Sequence, residues 1–188
     1  MFEKAKNNPV GDPGKNDYDA ERYAGVLKLV KEKSNWANEA NGVHRGVSAY
    51  FCHNSYVAQV VDVVMVDNQP KVQKVHCAVD CGIVVNPLSA KNQIEGGIVD
   101  GIGHAMFSEM TFKNGHPGQQ NFDTYRLIRQ IESPASIETH FVDNGIDPTG
   151  LGEPSLPPIA AAVANAIAAA TGERLYNQPF ISNKTILG

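Results

Sequence analysis

The chain has 188 residues, 42% of them hydrophobic and 19% charged, with a formal net charge of −4. That suits one globular domain with its own core, and an acidic balance without a basic block argues against nucleic-acid or anionic-membrane surfaces. No apolar run approaches the roughly 20 residues of a membrane span, and Met1 to Lys6 lack the apolar centre of a signal peptide. Three cysteines cannot build a disulfide framework, and Cys77 and Cys81, four apart, read as buried thiols.

Residues 1–17, rich in Lys, Asn, Pro and Gly, read as a flexible arm or a cut edge ahead of a folded domain over 18–188. A helix is predicted from about Asp19 to Ala40, since Tyr23, Val26, Leu27 and Val30 recur at helical spacing and Asn41-Gly42 supplies a stop. Trp36 is expected to anchor its last turns. Strands follow at Val47 to Cys52, at the Val-rich run Tyr56 to Val66, and along the alternation Val72, Val75, Cys77, Val79. The last two form an antiparallel hairpin with at least one wet face, and His76 falls on the polar side as a solvated histidine.

From Leu88 to Met110 the pattern is helical, with Ile94, Ile98, Ile102 and Met106 one turn apart. Gly96, Gly97, Gly101 and Gly103 interrupt it. Each mid-helix glycine costs about 1 kcal/mol against alanine, so the run implies close approach of a helix, a sheet or a cofactor. Taken alone, Glu95 reads as a helix-start carboxylate and Gln93 as a surface amide. Asn114-Gly115 marks a short hairpin, and Ser136 to Val142 alternates as a strand.

Gly152-Glu153-Pro154 then leads into a final helix from Pro157 to about Thr171, apolar nearly all round and stopped by Gly172. Pro154, Pro157 and Pro158 suit a first helical turn. Glu153 would sit at the positive end of that helix, accessible between conformationally special neighbours, as a general base requires. The plainer reading is a helix cap. The fold class that follows is α+β: a mixed or antiparallel sheet packed by two small-residue-rich helices, with the N-terminal helix on the outside.

The segments Val79-Asp80-Cys81-Gly82, Asn86-Pro87, Gln93-Ile94-Glu95-Gly96-Gly97 and Gly101, then Gly152-Glu153-Pro154 and the alanine-rich helix, occur in one order. Together they resemble the C-terminal part of the molybdenum-binding subunit of the xanthine dehydrogenase/aldehyde oxidase family, closest to the isoquinoline 1-oxidoreductase beta-subunit type. The likeness runs over roughly residues 44–175. It implies a molybdopterin-binding domain in which Gln93 and Gly152 contact the molybdenum cofactor, plain or in its cytosine dinucleotide form. It implies Glu153 as the base beside molybdenum, with no direct protein ligand to the metal, in a hydroxylase that oxidises an N-heterocycle or aldehyde with oxygen from water. The implied partners are the upstream remainder of the subunit, a 2Fe–2S small subunit and a small-molecule substrate. Members of this type are several times longer, so the chain is expected to be a fragment, inactive alone and prone to self-association through an uncovered apolar face.

Two other readings stand beside this one. A non-catalytic binding or assembly module would keep the glycine-rich helix but has no use for Glu153. A metal hydrolase is set aside, because His44, His53, His76, His104, His116 and His140 form no H-x3-H or H-E-x-x-H pair; His104 reads as a packing histidine. Compartment stays open between cytoplasm and periplasm, the free thiols leaning to a reducing interior.

Overall fold

Valine dominates the second strand, and the reason is burial on both faces. The computed structural model describes residues 18–182, so the arm assigned to 1–17 and the end of the chain at 183–188 lie outside the described residues. The elements are α1 (Ala20–Lys33), β1 (His44–Cys52), β2 (Ser55–Val66), β3 (Gln69–Asp80), α2 (Pro87–Met106), β4 (Phe112–Lys113), β5 (His116–Pro117), β6 (Ser136–Phe141) and α3 (Leu156–Thr171), with 3₁₀ turns at Gln130–Glu132 and Phe180–Ser182.

The main sheet runs β1-β2-β3-β6. β1, β2 and β3 are antiparallel neighbours, and β6 joins β3 in parallel. The sheet is therefore mixed. Side chains alternate across it. Val57, Val61, Val75, Cys77 and Val79 face Ile94, Ile98 and Ile102 of α2 and Ile159, Val163 and Ile167 of α3 in the larger core. Tyr56, Ala58, Val60 and Ala78 face Val26 and Val30 of α1 in a smaller one. Trp36 packs at the edge of that second cluster, partly buried.

The wet face expected of the β2–β3 hairpin is confined to its turn end. Lys71 and Gln73 are exposed, but every residue from Val75 to Asp80 is buried. The reason is α1, which covers the face that alternation left to solvent. His76 is accordingly not solvated: it is 4% exposed, 3.2 Å from Glu138 through Nδ1. Burial lowers its pKa, Lys74 adds to that, and Glu138 works the other way. His104, read as a packing residue, is instead exposed, 3.6 Å from Asp100 one turn earlier.

α1 stops at Lys33, well before Ala40. Asn35 adopts φ 49°, its N–H donates to Glu32 O, and the N–H of Trp36 donates to Lys31 O. That is a Schellman stop with asparagine in the left-handed position. Asp19 caps the other end, its carboxylate accepting from Glu21 and Arg22 N–H. The helix is clamped to the sheet by Arg22. Nη2 donates to Asp80 Oδ1 at 2.7 Å and Nε to Oδ2 at 3.1 Å, and the guanidinium lies 4.6 Å from the Tyr56 ring centre. Asn144 Nδ2 also donates to both oxygens of Asp80, which is 1% exposed.

α2 and α3 cross where α2 lacks side chains. A Cβ on Gly101 would stand 2.3 Å from Ile159 Cγ2 and 2.9 Å from Leu156 O, and one on Gly97 2.5 Å from Ser155 Oγ. Close helix approach thus explains these two glycines. Among the described residues, no helix is long and apolar enough to cross a membrane, and Cys52, Cys77 and Cys81 are free.

Candidate functional site

The segment from Asp143 to Ser155 has no helix or strand of its own, and loops of that length are usually functional. It is stitched to the sheet along its whole course. Asn144 binds Asp80, Ile83 N–H donates to Ile146 O, and Thr149 N–H donates to Cys81 O. Gly150 N–H donates to His53 O, while Ser55 Oγ donates to Gly150 O at 2.5 Å. A Cβ on Gly150 would stand 2.5 Å from that of His53, so the loop lies directly on the β1–β2 turn.

The loop ends against α2. Gln93 Nε2 donates to Gly152 O at 2.6 Å. Ser155 Oγ donates to Ile94 O at 3.1 Å, and buried Gln59 Nε2 donates to Ser155 O at 2.7 Å. Glu153 is thereby fixed at the backbone while its side chain is 72% exposed. Its Oε2 lies 2.9 Å from His53 Nε2.

The structure therefore brings the three residues singled out by sequence, Gln93, Gly152 and Glu153, into one place. It changes the account of how Glu153 is held. α3 begins at Leu156 after Ser155, with Pro157 and Pro158 in its first turn but Pro154 outside it. The Glu153 carbonyl accepts from Leu156 N–H, and the carboxylate turns to His53 and away from the helix end. His53 is the site residue that sequence reasoning missed. It occupies the two-residue β1–β2 turn with Asn54, both at positive φ, 100 residues from Glu153. No local signal ties the two together.

Gln93 and Gly96 are one turn apart on α2 and share a face. Nothing lies within 4 Å of where a Cβ would stand on Gly96 or on Gly152. The result is a strip of bare backbone flanked by an amide and a carboxylate, both open to solvent. Such a surface can bind a polar, flat-edged ligand and move a proton beside it.

The chain is similar to known proteins over most of its length. The sequence model of the molybdopterin cofactor-binding domain family matches residues 17–134, which include Gln93 but not Gly152 or Glu153. The chain is 32% identical to the isoquinoline 1-oxidoreductase subunit beta of Brevundimonas diminuta, covering 84% of this chain and 21% of that protein. It is 33% identical to a membrane-bound aldehyde dehydrogenase (pyrroloquinoline-quinone) of Gluconacetobacter polyoxogenes, over the same shares. Among solved structures, the aldehyde oxidoreductase from Desulfovibrio gigas superposes with a TM-score of 0.57 at 26% identity, over 66% of this chain and 14% of that one. The chain thus spans about a fifth of the length of these curated relatives.

Proposed function

This chain belongs to the molybdopterin cofactor-binding domain family, and from that premise we propose that it forms part of a molybdenum hydroxylase, with Glu153 as its general base. The substrate class is an N-heterocycle or an aldehyde, and water is the oxygen source. The observation that carries this reading is the convergence of Gln93, Gly152 and Glu153 at the meeting of α2 with the 143–155 loop.

The residues present fit the cofactor. Side chains at Gly96 and Gly152 would fill the strip of bare backbone beside the Gln93 amide. An amide, exposed main chain and one accessible carboxylate, without a thiolate, suit a pterin with polar edges whose metal takes no ligand from this chain. When bound, the cofactor would supply two-electron oxidation, taking up the electron pair of the substrate C–H bond that breaks. Gln93 holds it through the amide atoms left over from its bond to Gly152. Glu153 accepts, at a carboxylate oxygen, the proton released as the oxygen from water attacks the substrate carbon. His53, 2.9 Å from that carboxylate, orients it and shares the proton. Both groups are open to solvent, so excluding water falls to whatever covers them. In this reading the remainder of the subunit does so, and electrons leave through a 2Fe–2S partner. Val85, Leu88, Phe112, Phe122, Ile131 and Tyr176, all exposed, supply apolar surface for such docking.

The name of the Gluconacetobacter relative carries a different cofactor, pyrroloquinoline quinone, which makes cofactor identity the first thing to measure. Elemental analysis for molybdenum, with pterin fluorescence, on the whole subunit carrying these residues should give both signals. Glu153→Gln should keep both and lose about 10²-fold or more in kcat. Turnover unchanged by that substitution, or quinone in place of molybdenum, would overturn the proposal.

A further inference from the structure

The other face of the sheet carries a second cluster of chemistry. β3 and β6 run parallel with His76 opposite Glu138 and Ala78 opposite His140. Glu138 and His140, two apart on β6, therefore share a face, and it is the face on which His76 stands. Ligand atoms of His76, Glu138 and His140 all lie within 4.8 Å of one another. Nδ1 of His76 and Nε2 of His140 are buried without a hydrogen-bond partner, although Glu138 Oε2 stands 3.2 Å from the former, off the line of a hydrogen bond. One such orphaned nitrogen costs about 1–3 kcal/mol, and two in one cluster call for a ligand that satisfies both.

We infer that His76, Glu138 and His140 form a binding site for a zinc-type divalent transition-metal ion, bound by two imidazole nitrogens and one carboxylate oxygen. The donor set is that of a zinc site with three protein ligands and solvent in the fourth position. Tetrahedral coordination at about 2.0–2.1 Å sets ligand atoms roughly 3.4 Å apart, so side-chain rotation of about an ångström closes the site without moving either strand. His76 is 4% exposed and anchors the ion from inside the sheet, whereas the Glu138 side chain is 43% exposed and leaves an entry path. Lys74 pairs with the other oxygen of Glu138 and orients the carboxylate, leaving Oε2 free to ligate. The cluster lies on the α1 side of β3, about 13 Å along the strand from Asp80, so it is separate from the surface that holds Glu153. The ion would tie β6 to β3, where this sheet is parallel.

The test is titration of the metal-free chain with Zn²⁺ by calorimetry, and with Co²⁺ by visible absorption. The expected result is one ion per chain at micromolar or tighter affinity, with the ligand-field bands of tetrahedral cobalt. Glu138→Gln and His140→Ala, both at partly exposed positions, should weaken binding at least tenfold while circular dichroism stays unchanged. His104→Ala and His116→Ala should bind as the parent does. Binding below one equivalent, or binding undiminished in Glu138→Gln and His140→Ala, would overturn the inference.

Discussion

His53 Nε2 and Glu153 Oε2 lie 2.9 Å apart, joining the β1–β2 turn to the loop ahead of α3. Both side chains are more than half exposed, at 56% and 72%. Exposed pairs contribute about 0–1 kcal/mol, so this contact does little to hold the fold. His53→Ala should shift the thermal midpoint by no more than about 2–4 °C. In the whole enzyme it should lower kcat. A large loss of thermal stability would mark His53 as structural.

Gly101 and Gly96 are one and a half turns apart on α2 and should respond oppositely to alanine. At Gly101 the new methyl meets Ile159 and the Leu156 carbonyl, and overpacking of this kind costs about 1–3 kcal/mol. At Gly96 it meets open space, and removing a mid-helix glycine gains about 0.5–1 kcal/mol. Urea denaturation of both variants checks the signs. If the strip beside Gln93 holds the cofactor, Gly96→Ala should raise stability and lower molybdenum content in the whole subunit.

Asp80 belongs to the motif that carried the family resemblance, yet its work here is structural. It is buried, accepts two hydrogen bonds from Arg22 and two from Asn144, and ties α1 and the 143–155 loop to β3. Removing one partner of a buried ion pair strands the other charge, at a cost of roughly 3–5 kcal/mol. Asp80→Ala should therefore shift the urea midpoint strongly downward. A midpoint near the parent's would show that Arg22 finds solvent when its partner is lost.

Burial pushes the Cys77 thiol up to about 12. Between pH 9 and 12 the unfolded chain releases this proton and the folded chain keeps it, so stability present below pH 9 is lost as pH rises. The slope for this one group is about 1.4 kcal/mol per pH unit. Cys77→Ala should lower stability at pH 7 through the cavity it leaves, but flatten this alkaline loss. Denaturation midpoints at pH 8, 9 and 10 for both chains test it.

Much of this protein is written in short stretches of its sequence. The glycine-interrupted helix, the buried alanine-rich helix with Gly172 at its stop (φ 80°), the hairpins and the Ser136 strand are all legible. Helix and strand periodicity and turn chemistry involve residues within a few positions of each other, so they need no knowledge of the fold. Glu153 was legible as an accessible carboxylate ahead of the last helix for the same reason, whereas Gln93 read locally as a surface amide and was joined to Gly152 and Glu153 only by the family resemblance. The side of the sheet that α1 covers was not. Alternation in β3 marks two faces but not which becomes buried, and so His76 was expected in water and found in the core. Asn35 ended α1 early because a left-handed asparagine is chosen by the turn it makes, and Asn41-Gly42 offered an equally good local stop. The two pairings with most chemical consequence, His53 with Glu153 and His76 with Glu138 and His140, join residues 100 and about 60 positions apart. Strand order and a parallel crossover bring them together, and only the tertiary structure decides those, because they depend on which apolar faces bury one another across the whole chain.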